Sequence, residues 1–212
     1  MRPRSFILST ALQTLGVALL FLTALACRGT GSGSHGRRLL TCFALLGLGY
    51  MSVETALVQK VILPLEHPSY AVATVLAALL VSSGAGSLLS SRLAPLRSRV
   101  VPAVIAILIV LYSLLLPAVS AAVAPALLPV KVALLFLALF PLGLLMGTPF
   151  PTCIRQLGLV NPLLIPWAWA INGTLSVLAP LLAIMLAMAF GFSSVLWLGA
   201  VAYSLVFVNL KP

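Results

Sequence analysis

The chain has no aspartate and only two glutamates in 212 residues, against nine arginines and three lysines. Glu54 and Glu66 lie twelve residues apart, so acidic side chains supply neither a paired-carboxylate acid/base site nor an all-oxygen cage for a hard cation. The two histidines, His35 and His67, fall in a loop and a turn, which excludes a bis-histidine haem stack inside an apolar bundle. Cys27, Cys42 and Cys153 form no CxxC pair. They give neither a disulfide framework nor a zinc site and read as small apolar fillers. No glycine-rich fingerprint follows a strand-like run, so no nucleotide or methyl-donor fold is encoded. The last apolar run lacks a lysine for a retinal Schiff base. Catalytic residues, metal ligands and cofactors are accordingly not expected.

What the chain has instead is oil-soluble surface. It is 62% hydrophobic and 7% charged, with mean hydropathy +1.24, where soluble domains carry roughly 25% charged residues. This composition predicts an all-α polytopic membrane protein. The net charge of +10 would suggest nucleic-acid binding in a soluble chain, but here the basic residues flank apolar runs and read as topology signals and lipid-headgroup contacts. Membrane lipids, not nucleic acid, are the expected partners.

A helix needs about 20 apolar residues to cross the hydrocarbon core. On that length the sequence predicts seven spans, at 5–27, 39–64, 69–91, 100–124, 131–151, 163–190 and 192–209. The whole of 1–212 is read as one membrane domain, an extra first helix followed by a six-helix bundle over 39–209. The breaks are RGTGSGSHGRR (28–38), EHPS (66–69), LAPLRSR (93–99) and CIRQLGLVNP (153–162), the last taken as a short polar connector. With an external N-terminus, one side collects Arg28, Arg37, Arg38, Arg92, Arg97, Arg99, Arg155 and Lys211. The other side keeps Arg2, Arg4 and Lys131, with Lys60 near its interface. The positive-inside rule then puts the N-terminus outside and the C-terminus in the cytoplasm. The basic-then-apolar start also has the pattern of a secretion signal, with a poor lipobox at Ala24–Cys27, and cleavage there would invert this topology. It is read as a first helix.

Two clusters stand out within the spans. In the third span, Ser83, Gly84, Gly86 and Ser87 form a small-residue seam, the usual device for close helix approach in lipid. In the second, Glu54 lies a little beyond mid-membrane. A bare carboxylate there costs at least about 2.5 kcal/mol and must be paired, hydrated or protonated. The expected arrangement is a network in which Glu54 meets Asn172, Tyr50 and Ser176, while Gln59 follows on the same helix and Lys60 snorkels toward Glu66 and His67. Glu54 then serves as proton carrier or counter-ion, or as a buried neutral residue that holds helices together. Prolines at 102, 117, 141, 149, 151, 166 and 180 promise bends.

The stretches LGLGYMSVETALVQKVILPLEHPSYAVATVLAALLVSSGAGSLLSSRL (46–93), FPLGLLMGTPFP (140–151) and NPLLIPWAWAINGTLSVLAPLLAIMLAMAFGF (161–192) carry a resemblance. It is strongest in E-x-x-x-x-Q-[KR], HPSYA and IPWAWAING. They resemble the C-terminal membrane domain of bacterial spermidine synthase-like membrane proteins, in which a spermidine-synthase-type domain is joined to helices similar to the major facilitator superfamily. GSLLSSRLAPLRSR (86–99) is similar to a degenerate facilitator loop, without its acidic residue and Gly-Arg pair. The resemblance implies a bacterial inner-membrane location and one major-facilitator-like half made by six of the helices. The catalytic domain is missing, so it implies no enzyme. The expectation is a non-enzymatic membrane subunit or scaffold working with other subunits or a second copy. The alternative is a half-size transporter of a small, polyamine-like solute.

Overall fold

The computed structural model describes residues 34–92 and 95–210, without the side chains of Ser34 and of residues 95–99. The elements are α1 (Ser34–Leu65), α2 (Pro68–Leu89) with a 3-10 turn at Ser90–Arg92, α3 (Pro95–Val123), α4 (Leu128–Met146), α5 (Pro149–Val160), a 3-10 turn at Pro162–Leu164, α6 (Ile165–Phe190) and α7 (Phe192–Asn209). No strand occurs among the described residues. Among the described residues, six helical stretches are long and apolar enough to cross a membrane. The protein is an all-α polytopic membrane protein, and the expected first helix, 5–27, lies outside the described residues.

Helix starts follow from backbone chemistry. His67 is extended and Pro68 opens α2, where the missing N–H would have had no partner. Pro149 likewise opens α5, there after a Thr148 in the helical region. α6 ends at Gly191, whose φ of 80° is open to glycine without steric penalty, and whose N–H donates to Ala187 O at 2.7 Å. The helices continue through Pro102, Pro117, Pro141 and Pro180.

The polar connector expected at 153–162 is corrected. Residues 149–160 form helix α5, with Thr152, Cys153 and Leu157 buried. Cys153 and Leu157, four apart, give it an apolar face, and the hydrophobic side chains outweigh the few polar ones that suggested a loop. The span expected at 131–151 accordingly breaks at Gly147 and Thr148. There Gly147 N–H donates to Gly143 O at 3.0 Å, and the Thr148 hydroxyl donates to Leu145 O at 2.9 Å.

α1 is the axis of the bundle. It packs most extensively on α6 and α7 and also touches α2, α3, α4 and α5, while α2 pairs with α4 and α3 with α7. Because lipid is as apolar as leucine, such contacts are held by close van der Waals approach. The closest are made by glycines. A Cβ on Gly143 would collide with Ser82 Oγ, one on Gly86 with the backbone of Leu144, and one on Gly147 with the backbone of Ser83. The α1–α7 contact has the same character at Gly199 against Val53, as does α1–α6 at Gly47 against Asn172. Ser82, fully buried, satisfies its hydroxyl on Ala78 O at 2.5 Å.

Of the seam expected from Ser83, Gly84, Gly86 and Ser87, Gly86 and the backbone of Ser83 do make the close contacts with α4 and its C-terminal Gly147. Ser82 and Gly86, four residues apart, face α4, whereas a Cβ on Gly84 would meet nothing within 4 Å. Ser83, Gly84 and Ser87 sit on an adjoining face of the same helix. Outside the packed seams, Leu80, Leu88, Ile107, Leu137, Val177 and Met188 are exposed, as side chains solvated by lipid should be.

Gly143→Leu should cost at least the roughly 1–3 kcal/mol typical of overpacking, because its neighbour is a fully packed serine. Gly84→Leu should be close to neutral. Thermal melts and gel-filtration profiles of the two variants check this; equal damage from both would contradict the described seam.

Candidate functional site

α2 and α6 both pack on α1 but make no extensive contact with each other. The gap between them is a cleft holding a cavity of about 460 Å³. Its floor is a stripe of α1 comprising Leu46, Gly47, Tyr50 and Met51. One wall carries Ser83, Gly84 and Ser87 of α2, and the other carries Trp169, Asn172 and Ser176 of α6. Met146, Gly147, Phe150 and Pro151 close one end, where α4 passes into α5. Phe150 is the centre of that closure. It meets Phe43 edge-on at 5.2 Å and Trp169 edge-on at 4.7 Å between ring centroids, joining α1, α5 and α6.

The sequence-predicted residues divide between this cavity and other places. Asn172, Ser176 and Tyr50 do converge. Asn172 Nδ2 donates to Phe43 O at 3.0 Å, and Tyr50 Oη lies 3.5 Å from Ser83 Oγ. Gly47 permits the Asn172 contact by leaving no side chain between α1 and α6. The residues expected as a helix seam, Ser83, Gly84 and Ser87, line the same cavity, which the sequence did not suggest.

Glu54 does not join the Asn172 network. Asn172 is engaged at Phe43, eleven residues earlier on α1, roughly 16 Å along a helix. Glu54 is half-buried and has no hydrogen-bond partner among the described residues. By helical phase it falls on the stripe that carries Gly47, Tyr50 and Met51, one turn beyond the cavity floor. Nor does Lys60 reach Glu66: its Nζ donates to Ser193 Oγ at 3.0 Å, at the opposite end from the arginines. Gln59 is exposed, and both residues line a second cavity of about 350 Å³ with Pro64, Pro117 and Ser120.

Glu66 is taken by Lys131 at 2.8 Å, a pair across α1 and α4 that sequence separation hid. The lysine is 8% exposed and the carboxylate 72%. Glu66 has φ 63°, an uncommon left-handed residue that ends α1 with its N–H on Ile62 O. The hydrogen bond from Lys131 and then its charge, with a smaller contribution from His67, hold the Glu66 carboxyl below the usual carboxylate range.

At the other end, Arg37, Arg38 and Arg92 are exposed. Arg155 is instead a clamp between α5 and the end of α2. It donates to Ser90 O at 2.8 Å, Ser90 Oγ at 3.2 Å and Thr152 Oγ1 at 3.3 Å. Arg28 and the side chains of Arg97 and Arg99 lie outside the described residues. Comparison with family models, curated proteins and solved structures returned no match.

A carboxyl with a lowered folded pKa contributes stability above its unfolded value, about 4.3, and loses it as pH falls through the lower folded value. Melting temperature should therefore fall on acidification below about pH 4.3. Glu66→Gln should flatten that dependence and start lower at pH 7, because the buried Lys131 amine loses its partner. Parallel pH profiles of the two proteins would contradict this coupling.

Proposed function

We propose that this chain is a non-enzymatic integral membrane subunit that anchors or stabilises a larger assembly in a bacterial inner membrane. The observation that carries the reading is the locked interior. Gly86 and Gly147 press on neighbouring backbone, and Gly143 and Gly199 on the side chains of Ser82 and Val53, leaving no room for a methyl group, so the helices are held by interdigitated surfaces that resist sliding. The exposed apolar faces of α2, α3 and α6 are available to lipid or to neighbouring spans. The exposed arginines at one end, Arg37, Arg38 and Arg92, support placing that end on the cytoplasmic side. There they meet anionic headgroups or a soluble partner. The resemblance to spermidine synthase-like membrane domains supports the same reading, since there the helical part accompanies a separate catalytic part.

A second reading is favoured by one specific observation. Glu54 is a half-buried carboxyl with no hydrogen-bond partner among the described residues, on the α1 stripe that forms the cavity floor. An intramembrane ionisable group is a functional candidate by default, and a half-size carrier of a polyamine-like cation would use it as counter-charge.

Gentle extraction of the chain from its native membrane, followed by mass spectrometry, should return at least one further polypeptide in fixed ratio. Recovery of this chain alone would count against the subunit. In proteoliposomes Glu54→Gln should leave assembly and any spermidine flux unchanged; loss of flux with assembly intact would decide for the carrier.

A further inference from the structure

The cleft between α2 and α6 is a cavity of about 460 Å³ between two separately anchored helices. Its walls hold hydrogen-bonding capacity that the fold leaves unused. Asn172 spends its amide N–H on Phe43 O, and its carbonyl oxygen has no partner among the described residues. The hydroxyls of Ser176 and Ser87 likewise have none, and Tyr50 Oη has only the long contact to Ser83. Tyr203 adds a further hydroxyl-bearing side chain, the remaining lining is apolar, and no charged side chain among the described residues belongs to it. Leu80 and Trp169, at the rims of the two walls, are 62% and 59% exposed, so the cavity is reached sideways, from lipid.

Size decides between occupants. A transmembrane helix about 10 Å across and 30 Å long displaces on the order of 2,400 Å³, several times the 460 Å³ present. The cavity instead falls within the roughly 300–1,000 Å³ of small-molecule sites, which are apolar with a few placed polar groups. Charge decides the head. An ionic group brought among uncharged walls loses its hydration without gaining a counter-ion, whereas a carbonyl or hydroxyl is met by the amide and hydroxyls present.

We propose that the α2/α6 cleft binds an uncharged amphiphile, one apolar chain carrying a hydroxyl- or carbonyl-bearing head, that enters laterally from the bilayer. The head bonds to Asn172, Ser176 and Ser87, and the chain lies along Met51 and Leu80 toward the opening. This holds whether the chain works as a subunit or as a carrier.

The test uses the full chain in nanodiscs of zwitterionic phospholipid, titrated with a monoacylglycerol brominated along its chain. Tryptophan emission is the readout, since Trp169 forms part of the wall. Quenching should saturate, and half-saturation should move at least tenfold higher in Gly84→Phe, which fills open space, and in Ser87→Leu. Unbrominated oleate and oleylamine should compete at least tenfold less well than monooleoylglycerol. Non-saturating quenching, or titrations identical in parent and both variants, would overturn the site. Oleylamine competing best would overturn the uncharged head and make Glu54 the anchor. Should Gly84→Phe fail to match the parent on gel filtration, Ser87→Leu alone decides.

Discussion

Close approach of backbones at glycine is the constraint on which this structure depends. Inside a bilayer the apolar side chains are equally content against lipid or against one another, so a bundle coheres only where surfaces fit well enough to outdo lipid contact. Gly86 and Ser82 of α2 against Gly143 and Gly147 of α4 provide one such fit, and Gly49 and Gly199 between α1 and α7 another. Large side chains then fill the remaining interior: Phe43, Leu57, Leu79, Ile105, Leu139 and Tyr203 are among the most completely buried.

The same constraint creates the cleft. α2 is drawn to α4 by its Ser82/Gly86 face, and α6 is drawn to α1 by the gap at Gly47, so the two helices are held apart by their stronger attachments elsewhere. The face of α2 turned toward the opening carries Ser83, Gly84 and Ser87, residues too small to fill it. Polar groups that would be costly in lipid thus sit where a visiting molecule, water or a neighbouring hydroxyl can satisfy them.

Much of the fold was legible because membrane thickness is a ruler. Runs of apolar residues near the required length predicted the six described spans to within a few residues at most ends, and Gly191 and the EHPS turn broke them where backbone chemistry demanded. α5 was not legible: Arg155, Gln156 and Asn161 suggested a connector, and its apolar face becomes visible only once Cys153 and Leu157 are seen to point the same way. The site was half legible. Asn172, Tyr50 and Ser176 were singled out as polar residues in oil, and they do converge. Their register along α1 was misjudged, because composition does not say which turn of one helix meets which turn of another. The seam was legible only in part, for a related reason. A run of small residues marks a helix as able to pack, but one residue of phase separates Gly86, pressed on Leu144, from Ser87, which lines the cavity. The role of Lys131 had no local signal at all, its partner lying 65 residues away.

That separation has a consequence for assembly. A ribosome delivers α1, its turn and α2 well before Lys131 exists, so the carboxylate at Glu66 is made before its ammonium partner. Its place in an exposed turn makes that interval tolerable. Once α4 is in place, the ion pair ties its first turn to the turn that joins α1 to α2, so the start of one helix is fixed against the end of another 65 residues away.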